Sequence, residues 1–228
     1  MGNLKEITVP NISNPLLAYE TGIHIGDGSL GFYRNKQNKP DYVVRYFGNL
    51  TTDFDFFAKV LPHIIRNLYG LKPSIGHRPE RNSIDVTVRS KKLFEFKKNI
   101  VGLVVGNKTQ MKALPKVIVE CGDESIRHLI AGLFDTDGCF KVTRQAGKPY
   151  PKITIANKSE ILSEVKSLLI RFGIGCNLCK DRQTGVNKLD INGKKNVDLF
   201  FKLIPARNIK HLKRYKNWKS LGRLAQFG

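Results

Sequence analysis

Two stretches of this chain share one signature, and their spacing limits the fold more than any other feature. Residues 22–30 read GIHIGDGSL and residues 132–140 read GLFDTDGCF. In each, a Gly is followed five residues later by an Asp, then a Gly, then an alternating apolar stretch; Asp27 and Asp137 stand 110 positions apart. Two further anchors keep the same order. Asn49 closes YVVRYFGN and Asn157 closes KITIAN, 108 positions apart; Ser90-Lys91-Lys92 and Gly193-Lys194-Lys195 follow SIDVTVR and KLDIN, 103 apart. Three ordered anchors with a slowly shrinking offset predict a duplicated unit with shorter loops in its second copy.

Within each copy the apolar period switches regularly between helix and strand. In the first, Asn14-Pro15 is a good N-cap and N1 pair for a helix reaching Gly26. Extended runs near 29–34 and 42–49, a helix near 52–69, runs near 72–78 and 83–89 and a helix near 91–104 follow. The second copy predicts helices near 124–136, 159–172 and 194–203, and strands near 139–144, 152–157, 176–182 and 186–192. Ile161, Leu162, Val165, Leu168, Leu169 and Phe172 make the apolar stripe of the middle helix, which Gly173 stops. Each half therefore reads α-β-β-α-β-β-α. The predicted boundaries are a first half over 1–105, a linker over 106–122, a second half over 123–205 and a basic tail over 206–228. In the tail Ile209, Leu212, Tyr215 and Trp218 fall at helical spacing.

Composition adds the partner class. Lys and Arg number 39 against 19 acidic residues, a net charge of +20, and such an excess favours a polyanion. No apolar run reaches the roughly 20 residues of a membrane span, and the N-terminus lacks a secretory signal. A cytoplasmic protein is expected, or an organellar matrix protein in a eukaryotic host. Cys176 and Cys179 form a C-x-x-C without a second pair, so buried apolar residues or one local disulfide are favoured over zinc.

ETGIHIGDG at 20–28 and IAGLFDTDG at 130–138 resemble the signature of the LAGLIDADG homing endonucleases, and the flanking order extends the resemblance over residues 14–203. The second copy is the closer; the first carries Ile25 where an Asp often stands. The resemblance implies an α+β fold of two αββαββα halves related by a pseudo-twofold axis. Each half would supply a four-stranded antiparallel sheet to a DNA-binding saddle, with the signature helices paired at the interface. Small residues four apart (Gly22 and Gly26, Gly132 and Thr136) would let those helices approach closely, bringing Asp27 and Asp137 together at the floor of the groove.

Two close carboxylates at helix C-termini repel each other and the helix dipoles, and divalent cations relieve both strains. The implied cofactor is two or three Mg²⁺ shared between Asp27 and Asp137, with Gly26 and Thr136 also in the metal site. Mn²⁺ would substitute, and Ca²⁺ would support binding without cleavage. Asn49, Asn157 and Lys158 are the further catalytic candidates; Leu50 stands where the second copy has Lys158. Asp135 reads as a structural group or as one that supports a metal ligand, and not as a ligand itself. Strand alternation assigns DNA contacts to Ser83, Asp85, Thr87 and Arg89 in the first half, with Arg34 and Arg45, and to Lys141, Thr143, Lys152, Thr154, Arg182, Lys188 and Asp190 in the second.

The expected activity is a Mg²⁺-dependent double-strand break with short 3′ overhangs in a long, specific DNA site, made by a monomer with no membrane partner. Three alternatives share the composition: an RNA-splicing maturase, a metal-free DNA-binding regulator on the same scaffold, and a ribosomal or other RNA-binding protein. The intact Asp pair favours cleavage over the first two, and the ordered duplication disfavours the third. The chain lacks a starting Cys or Ser and a terminal His-Asn, so an intron-encoded enzyme is expected rather than an intein.

Overall fold

A computed structural model describes residues 6–34, 37–145 and 147–224. The first half runs α1 (Pro15–Asp27), β1 (Gly28–Arg34), β2 (Pro40–Asn49), a π-helical turn (Phe56–Val60) leading into α2 (Leu61–Tyr69), β3 (Ser74–Arg78), β4 (Ser83–Arg89) and α3 (Lys91–Glu95), which a second π-helical turn (Phe96–Val101) extends. After a connecting segment with α4 (Lys116–Val119), the pattern repeats as α5 (Asp123–Asp137), β5 (Gly138–Gln145), β6 (Lys148–Asn157), α6 (Leu162–Arg171), β7 (Asn177–Lys180), β8 (Asn187–Asn192) and α7 (Gly193–Leu203). A last helix, α8 (Ile209–Leu224), follows.

Local chemistry sets the ends. The Asn14 side chain accepts from the Leu16 amide at 2.9 Å and Pro15 opens α1. Gly70 and Gly173 hold left-handed φ angles of +67° and +77° at the ends of α2 and α6, the backbone region that glycine enters without a Cβ penalty. β7 stops at Lys180, short of the expected 182, because the Asp181 side chain accepts from the Gln183 and Thr184 amides and turns the chain. Arg182 therefore lies in a turn and not on a strand.

Both sheets are antiparallel, ordered β1-β2-β4-β3 and β5-β6-β8-β7. Their registers match: Gly28 pairs with Tyr46 and Gly138 with Ile155; Tyr46 pairs with Val86 and Ile155 with Leu189. Alternate residues face the helices, among them Val44, Tyr46, Ile84 and Val86 in the first sheet and Ile153, Ile155, Leu189 and Ile191 in the second, and all are buried.

The halves meet along α1 and α5. A Cβ added at Gly22 would sit 2.0 Å from the Leu129 carbonyl oxygen, and one at Gly132 would sit 2.0 Å from that of Tyr19. These contacts obey the twofold relation, since Leu129 and Tyr19 are themselves 110 apart. Gly26 faces Thr136 in the same way. The connecting segment is not featureless. Val105 bridges to Leu30, the Gly106 amide donates to the Leu30 carbonyl at 2.9 Å, and a 3₁₀ turn follows at Lys108–Gln110.

Candidate active centre

Each signature helix gives way directly to a strand, so its last residue, Asp27 or Asp137, lies where helix layer and sheet join. The two carboxylates are near enough for the charge of Asp137 to act on Asp27, and a Cβ on Gly26, the residue before Asp27, would lie 3.4 Å from Cγ of Asp137. Burial, and then the charge of Asp137, push the Asp27 carboxyl up to about 7; burial pushes that of Asp137 up to about 6, against an opposing hydrogen bond from Asn157 and the charge of Lys108. The pair resists full ionisation on its own.

The polar surroundings of the two acids differ. Asn157 Nδ2 donates to Asp137 at 2.6 Å, while its Oδ1 accepts from the Ser159 amide at 2.8 Å. Asn49 was expected to play the same part beside Asp27 and does not. Its Oδ1 accepts from the Thr51 and Thr52 amides, and its side chain caps that turn. The reason is register. Asn157 stands two residues beyond Ile155, whereas Asn49 stands three beyond the equivalent Tyr46, and one residue along a strand reverses the face. The position matching Asn157 is Gly48, over which the Phe57 ring packs. Lys158 matches Asn49; it is exposed and makes no hydrogen bond or ion pair among the described residues.

Groups not singled out by the sequence fill the first half's side. Lys108, on the 3₁₀ turn, donates from Nζ to the Gly26 carbonyl, and its charge lowers the pKa of both Asp27 and Asp137. No pattern distinguished it from the other lysines of a basic chain. Asp53 is also close enough to raise Asp27. Burial raises Asp53 itself, but the hydrogen bond and charge of Lys210, at 2.5 Å, outweigh it and hold the carboxyl below its usual range. Asn208 donates to Asp53 at 3.4 Å and to the Asp135 carbonyl at 2.9 Å, so the start of α8 straps the two halves together beside the centre. Asp135 is buried, taking hydrogen bonds from Tyr19 Oη and the Arg207 amide, each at 2.6 Å.

The outer sheet faces carry most of the remaining expected residues. Arg45, Ser83, Asp85, Thr87 and Arg89 share one face of the first sheet, with Asp41 3.3 Å from Arg89. Lys141, Thr143, Lys152, Thr154, Lys188 and Asp190 share that of the second. Asp85 and Thr87 are nonetheless buried, because neighbouring side chains cover them. Lys188 is paired with Asp181 at 2.7 Å. Arg34 departs from the expectation: it falls in line with Leu30 and Phe32 on the helix-facing side of β1, and its guanidinium donates to the Asn38 carbonyl of the hairpin at 3.1 Å.

The donors at the centre suit a hard divalent cation: two carboxylates that gain by a shared positive charge, and the Gly26 carbonyl at the negative end of α1, to which the Lys108 ammonium donates here. No group of three or more His, Cys, Asp or Glu side chains placed to hold one metal ion occurs among the described residues, so backbone, water and phosphate oxygens would complete the shell. The four cysteines are free; Cys176 is buried and Cys179 exposed.

Residues 124–205 match the family model described as the LAGLIDADG-like domain. Among solved structures, mesophilic variants of the homing endonuclease I-DmoI are 21% identical, covering 87% of this chain and 99% of that one with a TM-score of 0.62. I-LtrWI, a LAGLIDADG homing endonuclease bound to its target DNA, is 14% identical with a TM-score of 0.63, covering 95% of this chain and 92% of that one. The meganuclease I-SmaMI, bound to uncleavable DNA, is 12% identical with a TM-score of 0.65 and the same coverages, 95% and 92%. A curated protein, the replicative DNA helicase DnaB of Rhodothermus marinus, is 28% identical over 182 residues; the match takes in 75% of this chain and 18% of the helicase. The chain thus spans less than a fifth of that curated relative's length.

Proposed function

We propose that this chain, whose second half is a LAGLIDADG-like domain and whose two halves have the fold of the LAGLIDADG homing endonucleases, is a site-specific endonuclease. It would cut both strands of a long DNA target by metal-dependent phosphodiester hydrolysis, leaving short 3′ overhangs. The observation that carries this reading is the meeting of Asp27 and Asp137 at the ends of paired helices, where each carboxyl is pushed far above its ordinary value. A purely DNA-binding or RNA-binding surface has no use for that cost.

The chain's own residues divide the work. Asp27 and Asp137 would hold divalent cations, Mg²⁺ by the chemistry of the donors, with Mn²⁺ able to replace it and Ca²⁺ supporting binding alone. Gly26 and Thr136, at the helix ends, would belong to the same site. Bound there, the cation would polarise the scissile phosphates and lower the pKa of an attacking water. Asn157 orients Asp137. Lys108 supplies positive charge on the first half's side, and Lys158, exposed beyond the end of β6, is free to meet a phosphate. The two outer sheet faces would lie along the major groove, and the net charge of +20 would draw the duplex in. The twofold construction within one chain favours action as a monomer.

Nicking and linearisation of a plasmid carrying the target test this reading. Asp27→Asn and Asp137→Asn should each abolish the double-strand break while binding in Ca²⁺ survives; cutting at the wild-type rate by either variant refutes it. Binding should weaken with salt by about 0.9 in log–log slope per phosphate neutralised, and a flat titration would remove the DNA surface.

A further inference from the structure

A carboxylate on a surface built for a polyanion needs a reason, and the first sheet holds one at its middle. Asp85 lies on the outer face of β4, yet is buried. Thr87 Oγ1 donates to Asp85 Oδ2 at 2.9 Å, and Arg45 Nε in turn donates to Thr87 Oγ1 at 3.0 Å. The Arg45 Nε stands 4.0 Å from Asp85 Oδ2, and Arg78 Nη2 stands 3.4 Å from Asp85 Oδ1 on the other side. One carboxylate thus braces two arginines, one from β2 and one from β3. Gly76, opposite Asp85 in the register, makes room for it: a Cβ there would fall 2.7 Å from Oδ1. The Arg45 guanidinium also lies 5.8 Å from the Phe47 ring centroid.

The second sheet answers differently at matching positions. Thr154 stands where Arg45 does, and Asp190 where Thr87 does. Asp190 accepts from Thr154 Oγ1 at 2.6 Å and Lys152 Nζ at 2.7 Å. Neither partner offers a planar fork. Both arginines braced by a sheet carboxylate belong to the first half.

An arginine meant only for phosphate gains nothing from a neighbouring carboxylate, which weakens the local positive field and restricts the side chain. An arginine meant for a base edge gains orientation, because its bidentate contact to guanine O6 and N7 needs a fixed plane. With Nε engaged by Thr87, a bidentate contact to a base falls to the two terminal nitrogens of Arg45. Resting on the DNA-cleavage reading above, we propose that Arg45 and Arg78, held by Asp85, are the specificity-determining pair of the first half and read two guanines in its half-site. Among the described residues the second half has no equivalent pair.

Selection of bound sites from a random duplex pool in Ca²⁺, with wild type, Arg45→Ala, Arg45→Lys, Arg78→Ala and Asp85→Asn, tests this. Wild type should enrich two guanines on one side of the site only. Each arginine variant should lose one of them, by about tenfold or more in preference, and Arg45→Lys should not restore it. Asp85→Asn should flatten both preferences while binding random-sequence DNA at least as tightly as wild type, a pairing that a folding defect cannot produce. Absence of guanines from the wild-type site overturns the proposal. So does an Arg45→Ala variant that keeps its base preference and loses affinity uniformly, with a salt slope smaller by about one, the mark of a phosphate contact. Failure of wild type to bind duplex at all would instead overturn the function proposed above.

Discussion

Beneath the first sheet, Lys97 donates to both oxygens of Glu20, at 2.7 and 2.5 Å, and neither side chain is exposed. The Tyr46 and Tyr69 hydroxyls donate to the same carboxylate. Beneath the second sheet the matching positions are Ile130, Phe200, Ile155 and Phe172. One backbone plan has thus been filled by a closed polar network in one copy and by apolar packing in the other. The contrast teaches that the duplicated architecture is specified by strand register and the signature helices, not by the chemistry of either core. A buried ion pair with every lone pair answered roughly breaks even against well-packed apolar residues; removal of one partner is what costs.

The contrast between the two cores is tested first where most free energy is at stake. Glu20→Gln or Lys97→Met should destabilise the protein by about 3–5 kcal/mol, because each leaves buried groups unanswered. Importing the other half's solution, as Glu20→Ile, Tyr46→Ile, Tyr69→Phe and Lys97→Phe together, should recover most of that loss. Urea unfolding at neutral pH measures both. If the fourfold variant is no better than the single ones, the two cores are not interchangeable solutions of one plan.

A smaller effect should be equal in the two halves. Gly22→Ala and Gly132→Ala each drive a methyl to within 2.0 Å of a facing carbonyl oxygen, and overpacking of this kind costs about 1–3 kcal/mol. Matching shifts in the unfolding midpoint are expected. A cost on one side only would show that the helix pairing departs from its twofold relation.

What the sequence made legible followed from repetition and period. The α-β-β-α-β-β-α order, the Asn14 cap, the Gly173 stop and the close approach of Asp27 to Asp137 were all readable, because each rests on local residue chemistry or on two copies agreeing. Register was not. Matching Asn49 to Asn157 by motif placed both beside the acids, and a slip of one residue against the ladder sent Asn49 to a turn. Arg34 went astray through the same period of two, and Arg182 because an Asp181 turn ended the strand early. Lys108, Asn208 and Lys210 were invisible for another reason: they reach the centre from a connecting segment and the start of a terminal helix, far away in the chain, and Asp53 reaches it from the turn after β2, marked by no pattern.

The smallest difference between the halves lies in the two acids themselves, and it is one a single substitution should erase. Asp137 is pushed up to about 6 and Asp27 to about 7, and among the described residues only Asp137 has a side-chain amide donor. Asn157→Ala should move Asp137 up toward the Asp27 value, as ¹³C carboxyl NMR of the metal-free protein would record. Lys108→Met should raise both, since its charge favours both ionised forms. Stability follows with a definite sign. An acid whose folded pKa lies above its unfolded value near 4 costs nothing at pH 4; the cost grows as pH rises through the folded value and is complete above about 7. The two acids therefore subtract stability from the metal-free protein between pH 4 and pH 8, while buried His24 and His211, whose pKa values are lowered, act in the opposite direction, so the cost is read as the difference between variant and wild type. Asp27→Asn should be more stable than wild type by about 1–2 kcal/mol at pH 8, allowing for partial exposure, and no different at pH 4. Ca²⁺ should reverse the order at pH 8, because only the wild type keeps both carboxylates to hold it. A variant no more stable than wild type at pH 8 without metal would mean that neither burial nor the charge of Asp137 penalises the Asp27 carboxylate, and a shared cation would then lack its physical cause.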